Sequence, residues 1–505
     1  MNNTFRLLRA SGTFQRQNVR IGLPDTPSPK LDIDFAPFAD QKSNIPWTSV
    51  VIGRNGVGKS RLLAGIADIF DMLDRGRQQI RSNDGTSVSQ VVYQYGDDLC
   101  EITSVDDRWQ ATKNGQKCDP GELPLPTRVI ALTTTPFDKF RISRSLASMP
   151  GRDIPDRYER YSYLGLRDRT GRASPTAAIF RAIEGLFGAS GTGEARRLRI
   201  SRIFGFLGYK ARIDVKYEIS SLSFGKMQAL ANGNPYDAGR TSPTNYRRPL
   251  DMILERSPSA LLEIGDAARA AFERAAGQRH FTLTADFQNG SEDDYLFRQI
   301  QILRKAELIR MRSAEITRTS DGAILDLKLA SSGELGIVTG FLGLASVIED
   351  GSLVFIDEPE ISLHPEWQSS YINLLINTFE NVSGCHFVLA THSPLILSDI
   401  STQNSTVTYL DSRRDVMIDA SSFSGQSADH ILATAFHVPG KNNLYVKQEI
   451  VRALRLAADG ESDGDQFEAI LSGLQLLVPN LEPESALASL IGQLASAKLE
   501  GAEHD

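Results

Sequence analysis

The chain contains 505 residues, of which 41% are hydrophobic and 23% are charged, and its formal net charge is -7. This length exceeds what one compact core usually holds, so we expect two or three substructures. The negative net charge excludes the class of proteins that coat nucleic acid with a surface that is basic throughout. Because there is neither an apolar stretch of roughly 18 residues nor a signal-peptide core, we expect a cytoplasmic protein without a membrane span.

The N-terminal part predicts a strand, a glycine loop and a helix among antiparallel strands. Apolar and acidic residues alternate over 31–35, which predicts a half-buried strand. The run TSVVIG, 48–53, predicts a buried strand that ends at a glycine, and apolar residues at helical spacing predict a helix over 60–75. Residues 88–111 predict one or two antiparallel strands, and RVIALTTT, 128–135, predicts a further apolar strand.

The middle of the chain, 141–320, is less regular and predicts an insertion that is mostly helical. Cations outnumber acids in its first part, 141–212, although the chain as a whole is acidic. The segment ARIDVKYEI, 211–219, predicts one strand there. Helical patterns extend over 255–278 and 293–313.

From residue 322 strands and helices alternate, which predicts a parallel sheet covered by helices on both faces. After about residue 425 the pattern is helical again. The predicted elements of the alternating part are a strand (323–330), a glycine turn (331–336), a helix (337–350), a strand (352–357), a helix (365–382) and a strand (386–393).

A phosphate-binding loop is the strongest signal in the sequence. The segment GRNGVGKS, 53–60, matches G-x-x-x-x-G-K-[ST] in full and lies between a buried strand and a helix. Its glycines let the backbone curl and point N–H groups at phosphate oxygens. Lys59 supplies a mobile cation for the β- and γ-phosphates, and Ser60 supplies a hydroxyl ligand for Mg²⁺. The predicted nucleotide contacts are Gly53, Arg54, Asn55, Gly56, Val57, Gly58, Lys59, Ser60 and Arg61.

Two adjacent carboxylates follow the apolar strand in SLVFIDEPE, 352–360. In open α/β sheets, ligands bind at the carboxyl ends of the strands. Asp357 is therefore predicted to hold Mg²⁺ through water, and Glu358 is predicted to orient and polarise the attacking water. Alone, the pattern also fits a strand end with solvated acids. Together with the phosphate loop it predicts a site for nucleotide hydrolysis.

These motifs resemble those of an ABC-class ATPase, and more narrowly those of the RecF/SMC/OLD-like branch, the AAA_21 type. The segment DEPEISLHPEWQ, 357–368, resembles the Walker B motif of that branch and the loop after it. The segment SSGELG, 331–336, resembles its weakened signature motif, and LATHSP, 389–394, resembles its switch-histidine motif. The resemblance directly covers residues 45–65 and 325–400.

The resemblance implies a fold and a division of the chain. The implied fold class is α/β: an ABC-type P-loop ATPase head with a mixed β-sheet flanked by helices, a helical basic insertion and a helical C-terminal tail. Residues 1–140 would form the N-terminal half of the head with Walker A, and 141–320 the mostly helical insertion. Residues 321–425 would form the C-terminal half with the signature, Walker B and the switch histidine, and 426–505 the tail.

The resemblance also implies composite sites, in which ATP lies between the phosphate loop of one subunit and the signature of another. The chain is therefore expected to form a homodimer or a higher even-numbered oligomer, with ATP and Mg²⁺ as cofactors. The implied catalytic residues are Glu358, Lys59 and His392, with His392 reaching the γ-phosphate from behind. The residues expected to act in trans are Ser331, Ser332, Gly333 and Glu334.

The family's Q-loop falls at the segment TTTPFDKF, 133–140, which contains no glutamine. Asp138 is the candidate stand-in within this segment. Gln94 lies in the earlier β-region and fits the position poorly. The residue that takes the Q-loop role is therefore left open.

Partners follow from the same resemblance. Some members of the branch carry a C-terminal Toprim nuclease, but residues 401–505 are too short and too helical for one, and the seven histidines are scattered. The chain instead resembles stand-alone ATPase subunits of anti-phage defence systems, Septu-type or retron-associated, which act with a separately encoded effector, often a nuclease. Two alternatives stay open: a RecF/SMC-like DNA-maintenance ATPase, and an ATP-locked scaffold with negligible turnover, against which Glu358 argues.

The basic part of the insertion has two interpretations that the sequence does not separate. Its cations either contact phosphates of DNA or RNA, or form a solvated helical face that pairs with acids elsewhere. The candidate nucleic-acid contacts are Arg167, Arg169, Arg196, Arg197 and Arg199.

Overall fold

The computed structural model describes residues 4–14, 30–37, 44–76, 86–106, 108–142, 160–168, 170–190, 194–221, 223–234, 249–290, 293–410, 416–440, 442–462, 464–482 and 485–501. The strands are β1 (Phe5–Phe14), β2 (Lys30–Asp34), β3 (Trp47–Gly53), β4 (Thr86–Tyr95), β5 (Asp98–Val105), β6 (Arg108–Lys113), β7 (Gln116–Cys118), β8 (Val129–Thr133), β9 (Tyr161–Leu164), β10 (Tyr209–Ile219), β11 (His280–Asp286), β12 (Ile309–Arg318), β13 (Ile324–Asp326), β14 (Leu353–Asp357), β15 (His386–Ala390), β16 (Ser405–Leu410) and β17 (Val416–Asp419). The helices are α1 (Lys59–Asp74), α2 (Pro175–Ser190), α3 (Glu194–Phe206), α4 (Phe224–Ala231), α5 (Pro249–Arg256), α6 (Ala260–Ala275), α7 (Asp294–Lys305), α8 (Ser332–Val347), α9 (Pro365–Gln368), α10 (Tyr371–Phe379), α11 (Pro394–Ser398), α12 (Ala428–Thr434), α13 (Leu444–Ala458), α14 (Asp465–Gln475) and α15 (Ala486–Gly501).

A seven-stranded mixed sheet forms the centre of the molecule, in the order β17-β16-β3-β15-β14-β8-β9. Its neighbouring strands are parallel except for β16 and β17. The strands β3, β8, β14 and β15 are buried along their length, because both faces of the sheet are covered. Successive residues such as Val50 and Val51 therefore point to opposite faces and pack in separate cores. The predicted α/β class with a mixed sheet flanked by helices is confirmed.

One face of this sheet packs against α1, and α1 in turn packs against a six-stranded antiparallel sheet with the order β2-β1-β4-β5-β6-β7. The contact between helix and sheet is close at Gly65, where a Cβ would lie 2.8 Å from Cγ2 of Val88. The half-buried strand predicted over 31–35 is confirmed as β2. The segment 88–111 holds parts of β4, β5 and β6, which is one strand more than predicted.

The segment 141–320, which is predicted to be mostly helical, contains the helices α2 to α7. It also contains strands. Strand β9 extends the central sheet, and β10 to β12 form a four-stranded antiparallel sheet with β13. Only β10 is predicted by the sequence. The helix predicted over 293–313 is wrong at its end, because residues from Ile309 onward alternate between buried and exposed in β12. The domain boundaries themselves stay predictions.

Three predictions after residue 322 need correction. The strand over 323–330 is reduced to β13. The glycine turn over 331–336 is instead the cap and first turns of α8. The helix over 365–382 is interrupted, since α9 ends before Ser369 and α10 begins after Ser370.

The C-terminal part adds two strands that the sequence analysis does not predict, β16 and β17, and β16 lies directly beside β3. The helical tail is confirmed as α12 to α15. Residues of α13, α14 and α15, such as Val446, Phe467 and Leu494, form a small core separate from those of the head. Across the ranges that the structure describes, no helix is both long and apolar enough to cross a membrane.

Candidate functional site

The candidate site lies where three adjacent parallel strands end. Strand β15 pairs with both β3 and β14, and the pairing aligns Val51, Ala390 and Asp357 at one level. The loops that follow these strands therefore meet at the carboxyl edge of the sheet. They are the phosphate loop, the loop with His392 and the loop that begins at Glu358.

The phosphate loop has the backbone that its glycines predict. Gly53 has a φ of 153°, and a Cβ there would lie 2.5 Å from the carbonyl oxygen of Leu410. Gly58 has a φ of 108° and caps α1, which begins at Lys59. The first amides of α1 therefore face the loop and form an anion-binding end. Arg54 and Asn55 are exposed.

Lys59 is buried at the base of the loop. Its Nζ donates to the carbonyl oxygens of Gly53 at 3.0 Å and Arg54 at 3.3 Å, and to Nε2 of His392 at 2.7 Å. Burial lowers the pKa of Lys59 to about 8, against the opposing effect of nearby carboxylates, of which Glu358 contributes most. The ammonium group is thus held by neutral acceptors that a phosphate can replace.

Ser60 and Asp357 fit the magnesium role that the sequence predicts. Oγ of Ser60 donates to Oδ1 of Asp357 at 3.0 Å, while Oδ2 of Asp357 is buried without a hydrogen-bond partner among the described residues. Burial raises the pKa of Asp357 to about 7, so a cation beside it would stabilise the carboxylate. A hard, oxygen-binding cation suits this pair of ligands. Within the described ranges, no cluster of three or more His, Cys, Asp or Glu residues could hold a metal by itself.

Glu358 has a strained backbone. Its φ is 49°, a left-handed conformation that is uncommon outside glycine and frequent at functional sites. Its N–H donates to the Ala390 carbonyl at 2.9 Å, and its own carbonyl accepts from Oγ1 of Thr134 at 2.9 Å. These two bonds hold the strained residue, and the carboxylate stands 3.7 Å from Nε2 of His392 with a side chain that is 28% exposed.

His392 lies between Lys59 and Glu358, and its role as the switch histidine stays a prediction. Burial, with a further contribution from the Lys59 charge, lowers the pKa of His392 to about 4. The imidazole is therefore neutral near pH 7 and accepts the hydrogen bond from Lys59.

The depressed pKa of His392 predicts an acid-sensitive fold. The unfolded chain takes up this proton near the ordinary value of 6.5, whereas the folded chain takes it up only near 4. The unfolded state therefore binds more protons between these values, and the free energy of unfolding falls as the pH drops. In His392→Gln we expect the loss between pH 8 and pH 5 to be smaller by about 1–2 kcal/mol.

Thermal or denaturant unfolding of both proteins at the two pH values measures this difference. The matched control is His280→Gln, at an exposed position at the start of β11. Equal losses in the wild type and in His392→Gln would contradict the prediction.

The signature residues begin α8. Ser331 caps the helix, accepting from N–H of Glu334 at 3.3 Å, and the Glu334 carboxylate accepts from N–H of Ser331 at 3.0 Å. Glu334 also accepts from the hydroxyl of Tyr209 at 3.1 Å. Ser332 is exposed, and a Cβ on Gly333 would lie 2.4 Å from the carbonyl oxygen of Ser362. The helix start therefore offers the exposed Ser332 and the positive end of the helix, while Glu334 is engaged within its own chain.

Asp138 is saturated by hydrogen bonds. Its side chain is fully buried and accepts from Arg167, from the Tyr163 hydroxyl at 2.8 Å and from N–H of Phe140 at 3.0 Å. Such a carboxylate has little capacity left for a Q-loop role. Gln94 lies in β4 of the antiparallel sheet and donates to Gly96.

The contact of Arg167 with nucleic acid stays a prediction, and in the structure this side chain is half-buried in an ion pair with Asp138 at 2.6 Å. Its removal would leave a buried carboxylate without its counter-charge. We therefore expect Arg167→Met to lower the free energy of unfolding by about 3–5 kcal/mol. Denaturant unfolding measures the loss, with Arg172→Met at an exposed position as the control. A loss no larger than that of the control would contradict this role.

The remaining basic candidates are only partly located. Arg169 lies outside the described residues. Arg196, Arg197 and Arg199 lie on α3 and are each partly buried. Burial lowers the pKa of Arg199, with a further contribution from Arg196. Their contact with nucleic acid stays a prediction.

The sequence analysis misses Glu360 and Gln368, which support the His392 loop. The Glu360 carboxylate accepts from Oγ1 of Thr391 at 2.9 Å and from N–H of His392 at 2.5 Å. Oε1 of Gln368 accepts from Oγ of Ser393 at 2.7 Å. A third acid three residues after Asp357 is the only signal that the sequence offers for Glu360.

Comparisons with known proteins find one family model and several curated relatives that resemble parts of this chain. Residues 210–398 match the family model described as "AAA domain, putative AbiEii toxin, Type IV TA system". A 171-residue segment is 28% identical to "Retron Vc95 probable ATPase" of Vibrio cholerae serotype O1 biovar El Tor, covering 29% of this chain and 33% of that protein. A 56-residue segment is 43% identical to "Retron Ec83 probable ATPase" of Escherichia coli, covering 11% of this chain and 10% of that protein. The matches thus span a third or less of these relatives.

Among solved structures, the SMC head domain from Thermotoga maritima aligns with 83% of this chain and 99% of its own length. The sequence identity is 11% and the TM-score is 0.30.

Proposed function

We infer that this chain, which resembles ABC-type ATPases and among them the ATPases of retrons, binds and hydrolyses ATP. One observation carries the inference: Lys59, Ser60, Asp357, Glu358 and His392 converge at the carboxyl edge of three adjacent strands. No two of the three segments involved are adjacent in the sequence. Their meeting supports a site that handles phosphate, a divalent cation and water together.

Each residue has a role that follows from its chemistry. The amides of the phosphate loop and Lys59 hold the phosphates, since the ammonium group can exchange neutral acceptors for charged oxygens. Ser60 and Asp357 hold Mg²⁺, which supplies charge neutralisation at the phosphates. Glu358 takes the proton of the attacking water, and the neutral His392 donates or accepts a hydrogen bond beside it.

The same proposal includes composite sites formed by two copies of the chain. The start of α8, with exposed Ser332 and the positive end of the helix dipole, would complete the anion cage of the partner. Exposed apolar side chains flank this helix start: Leu329 is 81% exposed, and Ile361, which follows Walker B, is 38% exposed. A second copy would cover both. ATP binding would thus close a homodimer or a higher even-numbered oligomer, and hydrolysis would open it.

The biological role of this cycle of ATP binding and hydrolysis is proposed from the relatives named as retron ATPases. In this proposal the chain acts in the cytoplasm as the regulatory subunit of an anti-phage system. Its nucleotide state licenses or restrains a separately encoded effector, for which a nuclease is the leading candidate. DNA or RNA contacting the partly buried arginines of α3 would be one trigger.

The test is steady-state ATP hydrolysis by the purified protein with Mg²⁺, with and without linear duplex DNA. Turnover that requires Mg²⁺ and Glu358 supports the proposed ATPase. Stimulation by DNA favours a DNA-sensing or DNA-maintenance role, whereas indifference to DNA favours a protein trigger. Tight ATP binding without turnover would instead support the ATP-locked scaffold and contradict the ATPase.

A further inference from the structure

The loop that carries His392 is held by a carboxylate that has no part in the roles assigned so far. Glu360 lies in the loop after β14, and its two oxygens accept from two successive residues of the other loop. Oε1 accepts from N–H of His392 at 2.5 Å, and Oε2 accepts from Oγ1 of Thr391 at 2.9 Å. One acid thus binds both the backbone and a side chain of residues 391–393, the switch segment.

The rest of that segment is also fixed, but by neutral groups. N–H of Thr391 donates to the Val51 carbonyl of β3 at 3.1 Å. N–H of Ser393 donates to Oγ1 of Thr391 at 3.0 Å, and its hydroxyl donates to Gln368. Residues 391 and 393 are therefore tied to the sheet and to α9, whereas N–H of His392 is directed at Glu360.

Glu360 is close enough to Lys59 and Glu358 to act on their charges, but its hydrogen bonds given above are to Thr391 and His392. Burial raises its pKa, and the charge of Glu358 acts in the same direction. Its own charge raises the pKa of Lys59, although Nζ of Lys59 bonds to Gly53, Arg54 and His392. A charged acceptor in such surroundings forms a stronger hydrogen bond than a neutral one.

We propose that Glu360 is a positioning residue: by accepting from His392 N–H and Thr391 Oγ1, it keeps the imidazole of His392 between Lys59 and Glu358. The proposal rests on the ATP hydrolysis proposed above. Glu360 acts through His392, because it accepts from the backbone N–H of that residue, whereas Lys59 contacts its imidazole.

The geometry explains why a carboxylate suits this position. His392 N–H can only donate, so it requires an oxygen. A glutamine can turn its single oxygen toward that amide, but the bond then loses its charge and the NH₂ group faces the Thr391 hydroxyl. An alanine would leave the partly buried amide without an acceptor, which costs more than the bond itself contributes.

A double-mutant cycle between Glu360→Gln and His392→Ala tests the proposal, with kcat and KM for ATP measured separately. Glu360→Gln alone is expected to lower kcat about ten-fold with little change in KM, because the phosphate loop is intact. In the His392→Ala background the same change is expected to have no further effect. Glu366→Gln, an exposed acid on α9, is the matched control.

If the kcat of the double variant is lowered by the product of the two single losses, the proposal is overturned. An unchanged kcat or a raised KM in Glu360→Gln would also overturn it. If Glu360→Gln does not fold, Thr391→Val removes the second donor and leaves Glu360 in place. Thr391→Val is expected to lower kcat several-fold, and to have no further effect in the His392→Ala background.

The titration of His392, followed by NMR of ¹³C-labelled imidazole, gives a readout that does not depend on hydrolysis. Burial is the main cause of the low pKa of His392, near 4. In Glu360→Gln a released ring becomes more exposed, and its pKa is expected to rise toward 6.5. An unchanged pKa would overturn the proposal even if the protein proved not to hydrolyse ATP.

Discussion

Glu358→Gln is expected to lower the rate of ATP hydrolysis by about 10²- to 10⁴-fold, because it removes the group that takes the proton from water. The substitution keeps the shape of the side chain and the two backbone bonds that hold residue 358. ATP binding through Lys59 and the phosphate loop is expected to persist. Rapid-quench or coupled steady-state assays measure the rate, and equilibrium binding of a fluorescent ATP analogue measures the affinity.

Glu366→Gln is again the control, since this exposed acid lies eight residues further along the chain and outside the site. It is expected to hydrolyse ATP at the wild-type rate. Turnover that survives Glu358→Gln would remove Glu358 from the mechanism and leave the proton without an assigned acceptor.

Two inactive variants are expected to restore activity when mixed, if the sites are composite. Lys59→Ala removes the phosphate-binding cation, and Ser332→Arg blocks the exposed start of α8. A mixed dimer would contain one intact site, built from the phosphate loop of one copy and the signature of the other. In an equal mixture we expect recovery to about a quarter of the wild-type rate, from one site in half of the dimers.

The matched control for this experiment is a mixture of Lys59→Ala with Glu358→Gln. Both residues lie in the same half-site of one chain, joined through His392. No combination of these two chains contains an intact half-site, so this mixture is expected to stay inactive. Recovery in both mixtures, or in neither, would contradict sites that are shared between copies.

The parts of the site that the sequence predicts are those in which neighbouring residues share one task. In the phosphate loop the positive φ values, the helix start and the buried lysine all occur within eight residues. Asp357 and Glu358 follow from an apolar strand that ends in acids. In each case the local pattern is sufficient, because the chemistry and the backbone conformation are set by the same few positions.

The sequence is least informative where a residue is explained by a distant partner. Strand β16 is rich in hydroxyl side chains, yet it is buried beside β3 because Thr406 and Thr408 donate to carbonyls of Phe35 and Asp34. The glycine at 333 suggests a turn, but it lies within helix α8. A glycine is required there because the carbonyl oxygen of Ser362 approaches too closely for a Cβ. Glu360 likewise depends on donors more than thirty residues away.

The order of the strands in the central sheet also has a consequence for synthesis on the ribosome. Strand β3 carries the phosphate loop, but its neighbours are β15 and β16, which follow every other strand of this sheet except β17 in the chain. Ser60 and Asp357 are 297 residues apart, which at ordinary elongation rates is a delay of about 15 to 60 s. During that interval β3 has no strand to pair with, so the nascent chain exposes an apolar edge that favours aggregation. We therefore expect production of this protein to depend on chaperones, and ATP to bind only after the segment with His392 has been made.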